Sequence, residues 1–194
     1  MSIPSRTEAA QLLRDLDPPD WLLKHSAAVA DIAAFLSAAI ERRGHAISVA
    51  LAESAALLHD VDKALPDDNP LKGLGHGYAG AEWLSEKGFG ELAGAVESHS
   101  VTRLADDAHY AVWSRMATVE ERVVAYADKR AKQDLVPMDE RFRKWIQRHG
   151  DADPMRVARE RADALEAEVC AAAGVSPSDV KRMPWAETAL RGDE

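Results

Sequence analysis

Apolar side chains recur along this chain at intervals of three and four residues, and runs that alternate with period two are missing. A helix stacks positions i, i+3 and i+4 on one face, whereas a half-buried strand needs strict alternation. No stretch carries a hairpin signature of β-branched runs flanking a tight turn. The pattern therefore predicts an all-α protein. Helices are expected over about 6–16, stopping before Pro18-Pro19, and over 20–43, with Leu22, Val29, Ile32 and Leu36 on one stripe and Gly44 at its end. A third is expected over 47–59. Residues 66–77 (PDDNPLKGLGHG) read as a loop by composition, followed by short helices over 76–87 and 89–98. Residues 101–116 are ambiguous. Thr118 and Glu121 have the spacing of a capping box ahead of a helix over 119–133. Helices over 138–149, closed by Gly150, and over 154–172, closed by Gly174, come next. Ser176-Pro177 is expected to open a final helix. Core-forming aliphatics thin out after Gly150-Asp151, so residues 1–150 are read as the principal domain. Residues 151–194 are read as a helical extension packed on it.

The chain's 194 residues are enough for a core without covalent staples. One cysteine, Cys170, excludes an internal disulfide framework and a thiolate zinc site. The N-terminal stretch MSIPSRTEAAQ lacks the apolar segment of a leader, and no apolar run approaches the roughly 20 residues of a membrane span. A cytoplasmic setting is the expectation. Net charge is −9, so a global basic footprint for nucleic acid is absent. An anionic substrate would need local cations.

The residues with chemistry to offer are imidazoles and carboxylates. His59-Asp60 ends an apolar helix in AALLHDVDK, and a distorted last turn can send both side chains to one cation. His25 shares a face with Val29 and Ile32. Asp128 follows Val124 by four residues on the apolar face of VVAYADKR. Buried acids and imidazoles are costly unless paired or metal-bound. Four of them, inward on three apolar helices or their ends, point to one shared polar centre. Nitrogen and oxygen donors without thiolate suit Mn, Fe, Zn or Mg.

His25, His59-Asp60 and Asp128 resemble the H…HD…D signature of the HD-domain metal-dependent phosphohydrolases, over about residues 20–145. LLHDVDK stands where the family often has LLHDIGK, with Asp62 replacing the usual small residue before the lysine. HGYAGA, at His76, resembles the family's H-x-x-x-G-A element, and AVESHS, at His99, resembles the histidine closing the next helix. The ordered set H…HD…H…H…D has gaps of 34, 16, 23 and 29 residues.

The resemblance implies an HD-domain helical bundle with extra C-terminal helices. It implies metal ligation by His25, His59, Asp60, His76, His99 and Asp128, with two divalent ions (Fe, Mn or Mg, Zn also compatible) and Asp60 bridging. It implies hydrolysis of a phosphoester or phosphoanhydride by a metal-held water, with Lys63 meeting substrate phosphate. Arg103, four residues after His99, resembles an arginine of the bacterial symmetrical diadenosine-tetraphosphate hydrolases. Arg130, beside Asp128, is a further candidate for substrate. The segment ADKR…LVPMDERF at 127–142 resembles small HD proteins carrying V-x-x-x-x-R-F after ADK. The expected partner is a small phosphorylated nucleotide, with no membrane and no long nucleic acid. A non-catalytic ligand-sensing HD domain and a di-iron HD oxygenase are the competing classes. His45, His109 and His149 match no element and are expected at the surface.

Overall fold

The long helix α2 (Asp20–Arg42) is the axis around which the other elements pack: 15 of its 23 residues are buried. The structure is a computed structural model that describes residues 2–149 and 153–193, and the surface expectation for the His149 side chain lies outside what it describes. Gly150 and the proposed boundary at Gly150-Asp151 lie outside the described residues. Among the described residues there are eleven α-helices, and the only extended pairing is an isolated bridge between Ala131 and Leu135.

Ser5 caps α1 (Arg6–Arg14) in a reciprocal box with Glu8. Ser48 caps α3 (Val49–Leu58) by accepting the Leu51 amide. α2 and α3 pack against each other, and both are rich in buried alanine: Ala28, Ala30 and Ala33 on one helix and Ala52, Ala55 and Ala56 on the other are fully buried. Short side chains bring more backbone within dispersion range and lose little rotamer freedom. α2 is apolar and long enough to cross a membrane by length and composition, contrary to the sequence expectation, but 78% of that apolar window is buried inside the protein. Its hydrophobicity is satisfied by neighbouring helices.

α4 (Tyr78–Glu86) and α5 (Ala93–Ser98) follow the loop, with 3-10 turns at Pro70–Leu74 and Gly90–Leu92. The ambiguous stretch resolves into α6 (Val101–Ala105) and α7 (Asp107–Met116). They break at Asp106, whose carboxylate accepts the His109 amide and starts the second helix. α8 (Val119–Lys129) begins where Thr118 Oγ1 accepts the Glu121 amide, and ends four residues earlier than expected.

α9 (Met138–His149) and α10 (Asp153–Ala173) lead to the C-terminal segment. Ser176-Pro177 opens only a 3-10 turn, Pro177–Asp179, and the final helix α11 starts later (Trp185–Arg191). That segment is tied to the axis by a buried acid. Asp31 on α2 accepts Arg182 Nη2 at 3.0 Å, Arg182 Nε at 3.2 Å and the Ala186 amide at 3.1 Å. Burial pushes the Asp31 carboxyl up to about 6, against the pull of those donors. Residues on both sides of position 150 share one hydrophobic core: Ala158, Ala162 and Leu165 lie in the same cluster as Val123, Val124 and Phe142.

Candidate metal centre

Three helices end at one place in the interior. α3 ends at His59, α5 at His99, and Asp128 is the penultimate residue of α8. The carbonyl ends of helices carry partial negative charge and favour a cation nearby. After His59 the backbone leaves helical geometry at Asp60 (φ −106°, ψ 18°) and continues as a 3-10 turn, Val61–Lys63. Regular helix would splay two consecutive side chains by about 100°. The break lets both His59 and Asp60 face inward, 0% and 1% exposed.

The imidazoles are set by what their outer nitrogens touch. His59 Nδ1 donates to its own helix at Ala56 O (2.7 Å), and His99 Nδ1 does the same at Val96 O (2.6 Å). His25 Nδ1 donates to Lys132 O at 2.5 Å. A carbonyl accepts only, so each ring carries its proton on Nδ1 and presents a bare lone pair at Nε2. His76 Nδ1 donates instead to the Asp62 carboxylate at 2.8 Å. Asp62 also accepts the Gly77 amide at 3.2 Å. Gly77 is required here: its φ is +84°, and a Cβ would stand 2.8 Å from Glu97 O.

The four Nε2 atoms converge on Asp60. Oδ2 lies 3.5 Å from both His25 and His59, and Oδ1 lies 3.4 Å from His76 and 3.3 Å from His99. Each carboxylate oxygen thus serves a different histidine pair. Asp128 Oδ1 completes the first side, 3.4 Å from His25 and 3.9 Å from His59.

This arrangement fits a metal. His25 and His59 bring their Nε2 atoms to 3.2 Å, and with both protons on Nδ1 that approach sets lone pair against lone pair. Asp60 Oδ1 is buried with no hydrogen-bond partner. A buried anionic oxygen left without a donor costs several kcal/mol on the order of magnitude of such groups, and a cation among these atoms removes the cost. Ligand atoms of His25, His59 and Asp128 lie within 4.8 Å of one another, as do those of His59, Asp60 and His99, and those of Asp60, Asp62 and His76.

Electrostatics hold the donors in their binding state. Burial pushes the His59 imidazole down to about 3, keeping it neutral. Burial opposes ionisation of Asp60, but the Lys63 ammonium, 2.6 Å from Oδ2, is among the groups that hold it well below the usual carboxylate range. Asp128 is likewise held low against burial, by Lys129 and Arg141.

A cleft of about 430 Å³ opens onto His25 and Asp60. Five cations line it: Lys63, Lys132, Arg141, Lys144 and Arg148. A chain with net charge −9 therefore places a basic patch at the mouth of its polar centre.

The structure brings together His25, His59, Asp60, His76, His99 and Asp128, and sets Lys63 Nζ 2.6 Å from Asp60 Oδ2. It does not bring Arg130 to the cleft. All three of its guanidinium nitrogens are spent elsewhere, on Val136 O, the Tyr126 hydroxyl with Glu166, and Pro177 O. Arg103 stacks on the Tyr78 ring at 3.9 Å and is also absent from the cleft lining. The 66–77 loop contributes nothing to that lining either. His109, expected at the surface, is half-buried, and its Nε2 is buried without a partner.

Of the two cations following Asp128, either of which the sequence could send to the site or to the surface, Lys129 is the one that reaches the centre, and Arg141, which carries no role in the sequence reading, joins it there. Lys129 is fully buried, with Nζ on His99 O and on Asp128 Oδ2 at 2.9 Å. Arg141 Nη2 donates to Asp128 Oδ1 at 2.9 Å. Arg141 is the arginine of the V-x-x-x-x-R-F element, so a signal for it was present.

A buried His/Asp cluster at converging helix ends, in an all-α bundle, has the donor set of a helical domain that could hold a divalent metal. The model of the HD domain matches residues 22–133, more than half of the chain, and the protein belongs to that family. It is also similar to the uncharacterized protein MJ0778 of Methanocaldococcus jannaschii, 29% identical over 154 residues, which cover 76% of this chain and 88% of the relative. No solved structure matches the chain significantly.

Proposed function

We propose that the chain is a metal-dependent phosphohydrolase that cleaves a phosphoester or phosphoanhydride bond of a small nucleotide. The observation that carries this reading is the cationic cleft opening directly onto His25 and Asp60. His25, His59, Asp60 and Asp128 would hold one divalent ion, and Asp60, His76 and His99 a second, with Asp60 shared. When bound, such ions polarise phosphoryl oxygens and lower the pKa of water toward neutrality.

The chain's own residues do the rest. Lys63, half-exposed at the rim, keeps Asp60 ionised and stands where a phosphate entering the cleft meets it. Arg141 offers a planar donor set from the same wall while one nitrogen steadies Asp128. Arg141 Cζ lies 4.4 Å from the centre of the Trp145 ring, which limits its motion. These cations balance charge that develops on phosphoryl oxygens.

The acidic remainder of the protein disfavours long nucleic acid, whose binding rests on many neutralised phosphates. The test is Mn-loaded protein incubated with nucleoside mono- and triphosphates, diadenosine tetraphosphate and single-stranded oligonucleotides. Phosphate release from a small nucleotide is the expected result. Turnover of oligonucleotides alone, or of nothing with metal bound, overturns the reading.

A further inference from the structure

The cleft extends well beyond the metal ligands. Arg141, Lys144 and Arg148 occupy positions i, i+3 and i+7 of α9, one face of the helix. At 1.5 Å per residue they span about 10 Å along its axis. Arg141 is engaged by Asp128, and Lys132, across the cleft, is engaged by Glu140. Lys144 and Arg148 are exposed and have no ion-pair partner among the described residues. Aligned unpaired cations repel one another, and core packing does not call for them: α9 is anchored by buried Phe142 and by Trp145, which forms part of the cleft wall under the Arg141 guanidinium. At the first turn of α2 the same cleft presents Trp21, 45% exposed, with no ring or cation contact among the described residues. A large flat side chain left bare beside unpaired cations has the chemistry of a stacking platform next to a phosphate track.

We propose that the cleft between α9 and the start of α2 is a subsite for a run of consecutive phosphates ending in a planar ring, so that the substrate is a polyphosphorylated nucleotide rather than a monophosphate. This rests on the phosphohydrolase reading and extends it. Phosphate nearest the metal centre meets Lys63 and Arg141. Phosphates farther out meet Lys144 and Arg148. The base lies on Trp21. A single phosphate reaches only the inner pair and leaves the outer cations without a counter-charge.

Equilibrium binding separates this proposal from the reaction itself. Mn-loaded protein is titrated with the methylene-bridged, non-hydrolysable analogue of adenosine triphosphate, with adenosine monophosphate and with a short single-stranded oligonucleotide. The analogue is expected to bind at least about tenfold tighter than the monophosphate, from added charge-assisted contacts. Lys144→Ala and Arg148→Ala, both exposed and harmless to folding, each narrow that gap, and Arg143→Ala, on the same helix but outside the cleft, leaves it unchanged. Trp21→Ala weakens the analogue by about tenfold while leaving inorganic tripolyphosphate unaffected. Equal affinity for analogue and monophosphate, or a gap unmoved by Lys144→Ala and Arg148→Ala, overturns the subsite even if monophosphates are hydrolysed. Tighter binding of the oligonucleotide than of the analogue overturns it as well. Loss of hydrolysis with these binding differences intact counts against the phosphohydrolase reading alone.

Discussion

The two sides of the polar centre are built differently. On one side, His25, His59 and Asp128 are at most 7% exposed and sit on three mutually packed helices. Asp128 is gripped by Lys129 and Arg141, and His25 by a backbone carbonyl. On the other side, His99 is equally buried, but His76 has a side chain 36% exposed and precedes α4 rather than lying within a helix. Its orientation depends on Asp62. A ligand inside a long packed helix is positioned by the helix's own packing. A ligand on an approach segment needs a dedicated partner, and Asp62 supplies it. The second side should therefore hold its ion more weakly than the first.

The largest test removes what the sides share. Asp60→Ala is expected to abolish nucleotide hydrolysis and to strip metal from both sides, read by elemental analysis after Mn or Fe loading. His109→Ala, at a residue outside every candidate ligand group, should do neither. Equal damage from the two would erase the distinction between centre and surroundings.

Next, His76→Ala should halve the metal content, from about two ions to one, while His59→Ala costs the better-held ion. If His76→Ala empties both sites, the sides are not separable.

Asp62→Asn should act more mildly, because it weakens a supporting bond rather than removing a ligand. An affinity loss of about tenfold, for one ion only, is expected from changes of this kind. Competition against a chelator would measure it, and an unchanged affinity would assign Asp62 to packing.

The smallest effect concerns protons in the metal-free protein. Burial lowers His59 to about 3, below its ordinary 6.5. The unfolded chain binds a proton there first, so the stability that neutral His59 contributes is complete above about pH 6.5 and is lost as pH falls toward 3. Asp31, raised to about 6, works in the opposite sense over part of that range. The stability difference between the parent chain and His59→Ala, which cancels Asp31, should therefore shrink between pH 6.5 and 4 in chelator. A constant difference in thermal unfolding would contradict a buried neutral imidazole.

Much of the centre was legible because its signals are local. His59-Asp60 at an apolar helix end and Asp128 four residues beyond Val124 can be read from spacing, since a helix repeats every 3.6 residues. His76 and His99 were reached through their resemblance to HD elements rather than through periodicity. The bundle itself followed from the absence of period-two runs. Asp62 was visible as a departure from the family pattern, but nothing local said that it would turn toward His76. That contact joins residues 14 apart through a 3-10 turn and a glycine with positive φ.

By itself the sequence determined the element type, the identity of the donor atoms and their order along the chain, because periodicity and side-chain chemistry are properties of short segments. Only the tertiary structure decided which cations face the centre. Lys129 and Arg130 are neighbours, yet Lys129 is turned onto Asp128 and His99 while Arg130 is drawn to Tyr126, Glu166 and Pro177. Adjacent side chains on a helix diverge by about 100°, so which one enters depends on what packs against each face. For Arg130 that partner is α10 and the segment after it, more than 30 residues away in sequence. The same reason places Arg141, Lys144 and Arg148 in the cleft: α9 buries Phe142 against the core and sets Trp145 in the cleft wall, and that rotation of the helix turns its cations toward the polar centre.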